Sequence, residues 1–248
     1  MSEEKTAIVP VTETFLALKD TTTLTEVVEA NMAGRSARWT DLERIKIPSG
    51  GAPVYMIEDA LDGISTCQEF EAVMVWYNDS RTWWADSIED GGAGNPPACT
   101  SEDLHHGDGY NTSPDELGRH ECRICPNNRF GAAPVDTDNW CKESRQMFLM
   151  RLDKEDSFFP SVLVAPPTSL KPIQKYMMAI TSRAIPFYGA VHKFSLTPEK
   201  NAQGIDYASI KMSFGRRLDA AEVDALKSYA AAMKPTFGDL RPDSDLEM

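Results

Sequence analysis

The 248-residue sequence lacks any long apolar run, and its best stretch, Ala72 to Tyr77, is far short of the roughly 20 apolar residues that span a bilayer. The first residues, Met1 to Lys5, are acidic and no apolar stretch follows them, so no export signal is expected. Basic residues are also scarce, with 25 Lys and Arg against 38 Asp and Glu. The net charge of −13 excludes the uniformly basic surface of a chromatin-type protein. We expect a cytoplasmic protein with no membrane partner.

Cysteine is sparse as well, but four of the five cysteines form a group with the spacing C-x22-C-x2-C-x15-C. They are Cys99, Cys122, Cys125 and Cys141. In a reducing compartment such a group is more typical of a metal site than of disulfides. A CxxC turn lets two thiolates face one ion, and tetrahedral Zn²⁺ takes four ligands. We therefore predict a Zn²⁺ site with these four thiolates as ligands.

The segment from Asp90 to Trp140 is rich in glycine and polar residues and has few apolar ones, so a bound metal would supply the free energy that orders it. A four-thiolate site is coordinatively closed, which predicts a structural and not a catalytic zinc. Two alternatives stay open: the cysteines are scattered reduced thiols, or one of His105, His106 and His120 replaces a cysteine. Cys67, outside the group, is expected to be a small buried apolar residue.

The apolar periodicity predicts several short strands and three helices. Strands are predicted over Val54 to Ile57, Phe70 to Tyr77, Arg81 to Ile88, Met147 to Leu152 and Ser161 to Ala165, with Asn78 to Ser80 as a turn, and Tyr188 to Leu196 with Ile205 to Phe214 as a hairpin. Helices are predicted from a capping box at Thr23 to Glu26, from Pro166-Pro-Thr-Ser169 to about Arg183, and from a cap at Asp219 to Glu222 to a point before Pro235.

This order of elements predicts an α+β fold that is mainly β: an OB-like barrel or a strongly bent antiparallel sheet with peripheral helices. Residues 90–141 would be a zinc-stapled loop insertion. We expect a flexible N-terminal arm over residues 1–20, one domain over residues 21–235 and an acidic, disordered tail over residues 236–248.

Charge is unevenly distributed: the stretch from Ser157 to Arg217 has eight basic residues and only two acidic ones. Cations on strands and helices can follow a phosphate backbone, and exposed aromatic side chains beside them can stack on bases. The residues predicted to contact phosphates are Lys171, Lys175, Lys193, Lys211, Arg216 and Arg217, and those predicted to stack on bases are Trp83, Trp84, Tyr188 and Tyr207. For each aromatic residue, packing in the core is the alternative.

Four sequence stretches resemble a family of uncharacterised phage and mobile-element proteins. They are Pro97 to Asp103, Cys122 to Gly131, Cys141-Lys142 and Phe159 to Lys171, and the likeness covers roughly residues 55–230. The general design is also similar to that of phage single-stranded-DNA-binding proteins, which join an OB-type barrel, sometimes with a zinc insert, to an acidic tail. This resemblance implies single-stranded-DNA binding in phage replication or recombination, in the host cytoplasm if the chain is phage-encoded.

The expected function is therefore sequence-tolerant binding of single-stranded DNA, with RNA and a homo-oligomer left open. The acidic tail would bind replication or recombination proteins. The alternative is an acidic phage protein that binds or inhibits a host factor, for example by mimicking DNA. No nucleophile elbow, P-loop, GxGxxG motif or paired-histidine metal site occurs in the sequence, so we do not expect an enzyme.

Overall fold

The computed structural model describes residues 10–15, 21–32, 35, 41–84, 97–110, 117–132, 139–154, 157–201 and 204–237. The helices are α1 (Val11–Thr14), α2 (Thr21–Met32), α3 (Pro167–Thr181) and α4 (Ala220–Phe237). The strands are β1 (Arg44–Lys46), β2 (Tyr55–Asp59), β3 (Gly63–Cys67), β4 (Glu69–Trp83), β5 (Cys99–Ser101), β6 (His106–Tyr110), β7 (Leu117–Glu121), β8 (Lys142–Arg151), β9 (Ser161–Ala165), β10 (Ala190–Lys200) and β11 (Asp206–Arg217). Among these residues, no helix has the length and apolar character needed to cross a membrane.

The strands form one sheet that branches at β4. Its order is β3-β2-β1-β9-β8-β4-β5-β6-β7, and β10 with β11 forms the second branch. Strand β4 pairs with β8 on one edge, and its other edge pairs first with β10 and then with β5. The pair β1 and β9 is parallel and the remaining pairs are antiparallel. The mainly β, α+β class is thus confirmed, but within the described residues the sheet does not close, so the OB-like barrel is not confirmed.

Strand β4 is one continuous strand of 15 residues. The predicted turn at Asn78 to Ser80 is wrong, because these residues pair with β8 throughout. The Ser80 and Ser144 hydroxyls are hydrogen-bonded at 3.0 Å. The guanidinium of Arg145 donates to both carboxylate oxygens of Asp79, at 2.6 and 2.8 Å. Cross-strand pairing of polar side chains therefore outweighs the local preference of Asn-Asp-Ser for a turn. Residues 85–88 of the predicted strand lie outside the described residues.

Each face of the central strands carries its own core and its own helix. On one face α4 packs over β4 and β8; the buried residues there include Val73, Trp76, Phe148, Met150, Leu226, Tyr229 and Met233. On the other face α3 packs over the sheet; the buried residues there include Met74, Met147, Leu149, Leu163, Ile173, Phe194 and Ile210. In β8 this arrangement follows from the period of two, because alternate side chains point to opposite faces, and in β4 an irregularity between Met74 and Trp76 shifts the register by one residue.

Helix α4 starts as predicted but ends later. Asp219 and Glu222 form a reciprocal capping box, in which Glu222 N donates to Asp219 Oδ1 at 2.9 Å and Asp219 N donates to Glu222 Oε2 at 2.8 Å. The helix continues past Pro235 to Phe237. Phe237 is buried and its ring centroid lies 4.8 Å from that of Phe159, so packing carries the helix beyond the proline.

The predicted N-terminal arm differs from the structure over residues 10–15, where Val11 and Phe15 belong to the core. Val11 and Phe15 are buried against the same cluster as α4. Val11 N donates to Glu222 Oε1 at 2.7 Å, which fixes the segment to the start of α4. Residues 1–9 and 16–20 of the arm, and residues 238–248 of the predicted tail, lie outside the described residues.

Candidate metal centre and its surroundings

The insertion predicted as a loop contains three short strands. Strand β5 pairs with the end of β4, β6 pairs with β5, and β7 pairs with β6. Glycine makes the close approach of β6 to β5 possible. Gly109 has φ of 133°, and a Cβ there would lie 2.2 Å from the carbonyl oxygen of Ala98. We call residues 97–110, 117–132 and 139–141 the thiol module, because they carry the four grouped cysteines.

The structure brings the four predicted zinc ligands into one region. Cys99 starts β5, Cys122 follows β7, Cys125 precedes a 3₁₀ turn at Pro126–Asn128, and Cys141 precedes β8. All four are buried free thiols. Burial first, then the charges of Cys122, Cys125 and Asp108, raise the pKa of Cys99 to about 11. A bound cation would stabilise the thiolate form of Cys99 against this burial.

Burial also raises the pKa of the Cys141 thiol, to about 12, and the next contributions come from the other three cysteines, Cys125 first. The backbone explains this proximity. The carbonyl of Asn127 accepts hydrogen bonds from Trp140 N and Cys141 N, at 3.1 and 3.2 Å. The Asn128 side chain donates to the Cys122 carbonyl at 2.9 Å. The turn after the CxxC pair therefore holds Cys141 against it.

Of the three histidines considered as ligands, only His120 reaches the thiols. Its Nε2 lies 3.6 Å from Cys99 Sγ, and its Nδ1 lies 3.2 Å from the Gly118 carbonyl oxygen. His105 is exposed, and His106 Nδ1 lies 2.8 Å from an Asp103 carboxylate oxygen. Within the described residues, no three His, Cys, Asp or Glu side chains already have the arrangement of a metal site.

Gly107 leaves the space in which Cys99 and His120 meet. A Cβ at this position would lie 2.8 Å from Cys99 Sγ and 2.9 Å from His120 Nε2. Gly107→Ala should therefore push these two side chains apart and weaken Zn²⁺ binding by about ten-fold or more, in the range of changes close to a metal site. Competition for Zn²⁺ with a chelating dye measures this effect.

The backbone of Gly107 is not in the left-handed region, so alanine causes no backbone strain there. The variant therefore tests only the contact of the added Cβ with Cys99 and His120. Thr100→Ala, on the neighbouring strand β5, is the matched control and should keep the wild-type affinity, since Thr100 does not carry a ligand atom of the predicted site. Equal zinc affinity in Gly107→Ala and wild type would show that this gap plays no part in metal binding.

The predicted phosphate-binding lysines lie on two opposite sides of the sheet. Lys171 and Lys175 are exposed on α3, which covers one face. Lys193 and Lys211 are exposed on the opposite face of the β10–β11 hairpin, since Phe194, next to Lys193, belongs to the core beneath α3. The structure therefore does not bring the four lysines into one groove.

The predicted arginines and Lys193 already have protein partners. Arg216 donates to both carboxylate oxygens of the buried Glu222, at 2.7 and 3.0 Å. Arg217 is exposed and donates to the Ala184 carbonyl at 3.4 Å, and Lys193 forms an ion pair with Glu71 at 2.8 Å. Arg216 thus has a structural role at the start of α4.

Three of the predicted base-stacking aromatics are partly covered. Trp83 is half-buried on β4. Tyr188 is half-buried, with the Lys227 ammonium 5.8 Å from its ring centroid. The Tyr207 hydroxyl donates to Glu199 at 2.7 Å. Trp84 is 38% exposed and directly precedes residues outside the described part of the chain. Trp84 is therefore the predicted aromatic that water reaches most readily.

Sequence reasoning missed the exposed apolar side chains of the thiol module itself. Phe130 is 80% exposed, Ile124 is 59% exposed and Trp140 is 40% exposed. Arg123 and Arg129, next to Ile124 and Phe130 in the chain, are exposed as well. The sequence does contain a signal for this exposure. The stretch after the CxxC pair is a short turn that cannot bury its side chains, and it contains Arg129 and Phe130.

Two other groups of polar side chains, around His192 and around Lys154, already form hydrogen bonds and ion pairs within the protein. His192 is fully buried between the Tyr176 hydroxyl and the Phe187 carbonyl, each 2.6 Å from one ring nitrogen, and burial lowers its pKa to about 4. A cleft of about 690 Å³ beside β1 and β2 contains Lys154, which donates to Glu43 at 2.8 Å and also to Asp59. His192 is therefore a core residue, and the cleft is lined by an ion-pair network.

Comparisons with family models, curated proteins and solved structures give no match to this chain. The resemblance to phage and mobile-element proteins consequently stays a prediction. Functional proposals for this protein depend on the residues and contacts of the thiol module and of the sheet.

Proposed function

We propose that the protein binds single-stranded nucleic acid without sequence preference, through the surface of a zinc-stabilised thiol module. The observation that carries this proposal is the exposure of Phe130, Ile124 and Trp140 on one module, with Arg123 and Arg129 beside them in the chain. Single exposed apolar residues are common, but three in a segment this short are typical of an interaction surface.

The chemistry of these side chains suits an unpaired strand. Phe130 and Trp140 offer rings on which bases can stack, and every base has a π-face, so stacking does not depend on sequence. The guanidinium groups of Arg123 and Arg129 can neutralise phosphates. Both kinds of contact are local, and they would have to outweigh the repulsion between a net charge of −13 and the phosphates.

Cys99, Cys122, Cys125 and Cys141 are the residues that would hold the Zn²⁺, and as thiolate ligands they would form a closed, structural centre. The fit rests on their burial as free thiols in one region. The bound ion would stabilise their ionised form and order the module. The chain's own contribution is to present the exposed aromatic and arginine side chains, so the proposal assigns no catalysis to the centre.

A second candidate function, binding of a basic segment of a partner protein, is favoured by the cleft beside β1 and β2. Five carboxylate residues line it, against two basic ones: Asp41, Glu43, Glu58, Asp59 and Asp62 against Arg44 and Lys154. Several of these carboxylates are already paired within the protein, which makes this candidate weaker than the first.

The proposed function predicts that Phe130→Ala weakens binding of a labelled oligothymidine by about ten-fold, because removal of a base-stacking ring costs about 1–3 kcal/mol. Replacing Arg123 and Arg129 together by glutamine should flatten the salt dependence of binding, by roughly 0.7 in the log–log slope for each phosphate that is no longer neutralised. Fluorescence titration at two or more salt concentrations measures both effects.

Leu61→Ala is the matched control for Phe130→Ala, because Leu61 is 95% exposed on the turn between β2 and β3, outside the module. It should bind like wild type. Replacing Lys171 and Lys175 by glutamine tests whether α3 also contacts the strand. Wild-type protein that binds duplex but not single strands, or Phe130→Ala that binds as tightly as Leu61→Ala, would contradict the proposal.

A further inference from the structure

We infer that His120 is a ligand of the metal centre. Together with the four grouped cysteines, the thiol module then has five donor side chains, of which a tetrahedral ion uses four. The inference rests on the metal centre of the proposed function. It adds a residue to that centre which the cysteine spacing does not include, and it assigns His120 and Cys99 as neighbouring ligands.

The strand register brings His120 to the thiols. His120 on β7 lies directly opposite Gly107 on β6, and Cys99 on β5 lies directly opposite Gly109 on β6. The middle strand therefore has no side chain at either position. The imidazole from one neighbouring strand and the thiol from the other can meet over β6, and Cys99 Sγ and His120 Nε2 do so at 3.6 Å.

The hydrogen bonding of the His120 ring leaves Nε2 available to coordinate a metal ion. Nδ1 of His120 lies 3.2 Å from the carbonyl oxygen of Gly118, which can only accept a hydrogen bond. In the neutral ring Nδ1 therefore carries the proton, and Nε2 presents its lone pair towards Cys99. A backbone carbonyl that receives the N–H of the other ring nitrogen is the usual way in which proteins orient a metal-binding histidine.

The observed separation fits two ligands of one ion. With Zn–S of about 2.3 Å and Zn–N of about 2.0–2.1 Å, two ligands of a tetrahedral ion are roughly 3.5–3.6 Å apart. The distance of 3.6 Å between Cys99 Sγ and His120 Nε2 equals that separation. With His120 as a ligand, three thiolates complete the coordination. The fourth thiol does not bind the ion unless another ligand is removed.

Cobalt substitution tests the inference, because the visible and near-ultraviolet bands of Co²⁺ differ between three-thiolate, one-nitrogen and four-thiolate coordination. Wild-type protein loaded with Co²⁺ should show mixed nitrogen and sulfur coordination. His120→Ala should keep stoichiometric Co²⁺, with bands moved to those of four thiolates and a stronger thiolate charge-transfer absorption. A residue that only supports the fold would leave the bands unchanged.

His106→Ala is the matched control, since His106 lies on the same small sheet and contacts Asp103 instead of a thiol. Its spectrum should equal that of wild type. As a second measurement, Cys99→Ser should keep the metal through His120, and adding His120→Ala to it should lower the affinity at least ten-fold further.

Two outcomes overturn the inference, and they are distinguishable. Identical cobalt spectra of wild type and His120→Ala overturn the assignment of His120 alone and leave the metal centre in place. Wild-type protein that binds neither Co²⁺ nor Zn²⁺ overturns the centre together with the inference. Neither measurement depends on nucleic-acid binding, so failure of the oligothymidine titration does not affect them.

Discussion

Replacing Cys122 and Cys125 together by serine, which leaves at most three donor side chains, is expected to weaken Zn²⁺ binding strongly and to unfold the thiol module while the rest of the sheet stays folded. Among the side chains whose burial the structure describes between residues 97 and 132, the only buried apolar ones are those of cysteines. These described side chains thus form no hydrophobic core that could replace the metal. Structural zinc binding contributes about 10–16 kcal/mol in small zinc-dependent domains, far more than the few hydrogen bonds of β5 to β7.

The effect should be local because neither large core contains any of the four grouped cysteines. Hydrogen exchange read out strand by strand measures this: amides of β5, β6 and β7 should lose protection, and those of β8 and β10 should keep it. Cys67→Ser is the matched control, since Cys67 lies on β3 outside the module, and it should keep both zinc and protection. Protected β5 to β7 amides in the metal-free double variant would contradict the prediction.

The grouping of the four cysteines could be predicted from the sequence better than the structure around them. Cysteine spacing carries information by itself, because a CxxC turn places two sulfurs close together whatever the surrounding fold. Strands β5 to β7 could not be predicted in the same way. Gly107, Gly109 and Gly118 weaken the local strand pattern, and β5 also needs the edge that β4 provides. The position of His120 beside Cys99 depends on that strand register, which the spacing of residues does not reveal.

The wrong turn prediction and the missed exposure of Phe130 also result from tertiary contacts that a local sequence pattern does not contain. Asn78 to Ser80 predicts a turn by local preference, but the pairing with Arg145 and Ser144 on β8 lies more than 60 positions away in sequence. Exposure of Phe130 is likewise a property of the surface and is not visible in a hydropathy pattern. In contrast, the hairpin of β10 and β11 and the cap of α4 are local features, and both are confirmed, although Thr197 to Lys200 continue β10 and pair with β11 where a turn is predicted.

Glu222 combines a helix-capping role, which is local in sequence, with hydrogen bonds to residues distant in sequence. As the third residue after Asp219 it is predicted to cap α4, and it does so. Its carboxylate also accepts hydrogen bonds from Arg216 and from Val11 N, a residue 211 positions away. The start of α4, the end of β11 and the N-terminal segment are therefore fixed by one buried side chain. Because of this convergence, replacing Glu222 should cost the protein considerable stability.

Glu222→Ala is expected to lower the free energy of unfolding by about 3–5 kcal/mol, because it removes the carboxylate from a largely buried guanidinium and leaves two backbone N–H groups without this acceptor. Such a decrease is a large part of the roughly 5–15 kcal/mol typical of whole domains. The midpoint of urea denaturation measures it. Asp224→Ala on the same helix is the control; its ion pair with Lys227 is exposed, so a change below about 0.5 kcal/mol is expected.

The pH dependence provides an independent check on the same side chain. Burial opposes ionisation of Glu222, but the hydrogen bonds from Arg216, Asp219 and Val11 outweigh it, so the pKa of the carboxyl group lies below its usual value. A carboxyl group whose pKa is lowered by folding stabilises the protein above its unfolded-state pKa, and this contribution is lost as the pH falls through the folded-state pKa. Glu222→Gln keeps the shape of the side chain but cannot titrate. The stability difference between wild type and Glu222→Gln should therefore shrink as the pH is lowered from neutral towards the acid limit of folding, and a difference that stays constant over this range would show that the charge on Glu222 contributes nothing.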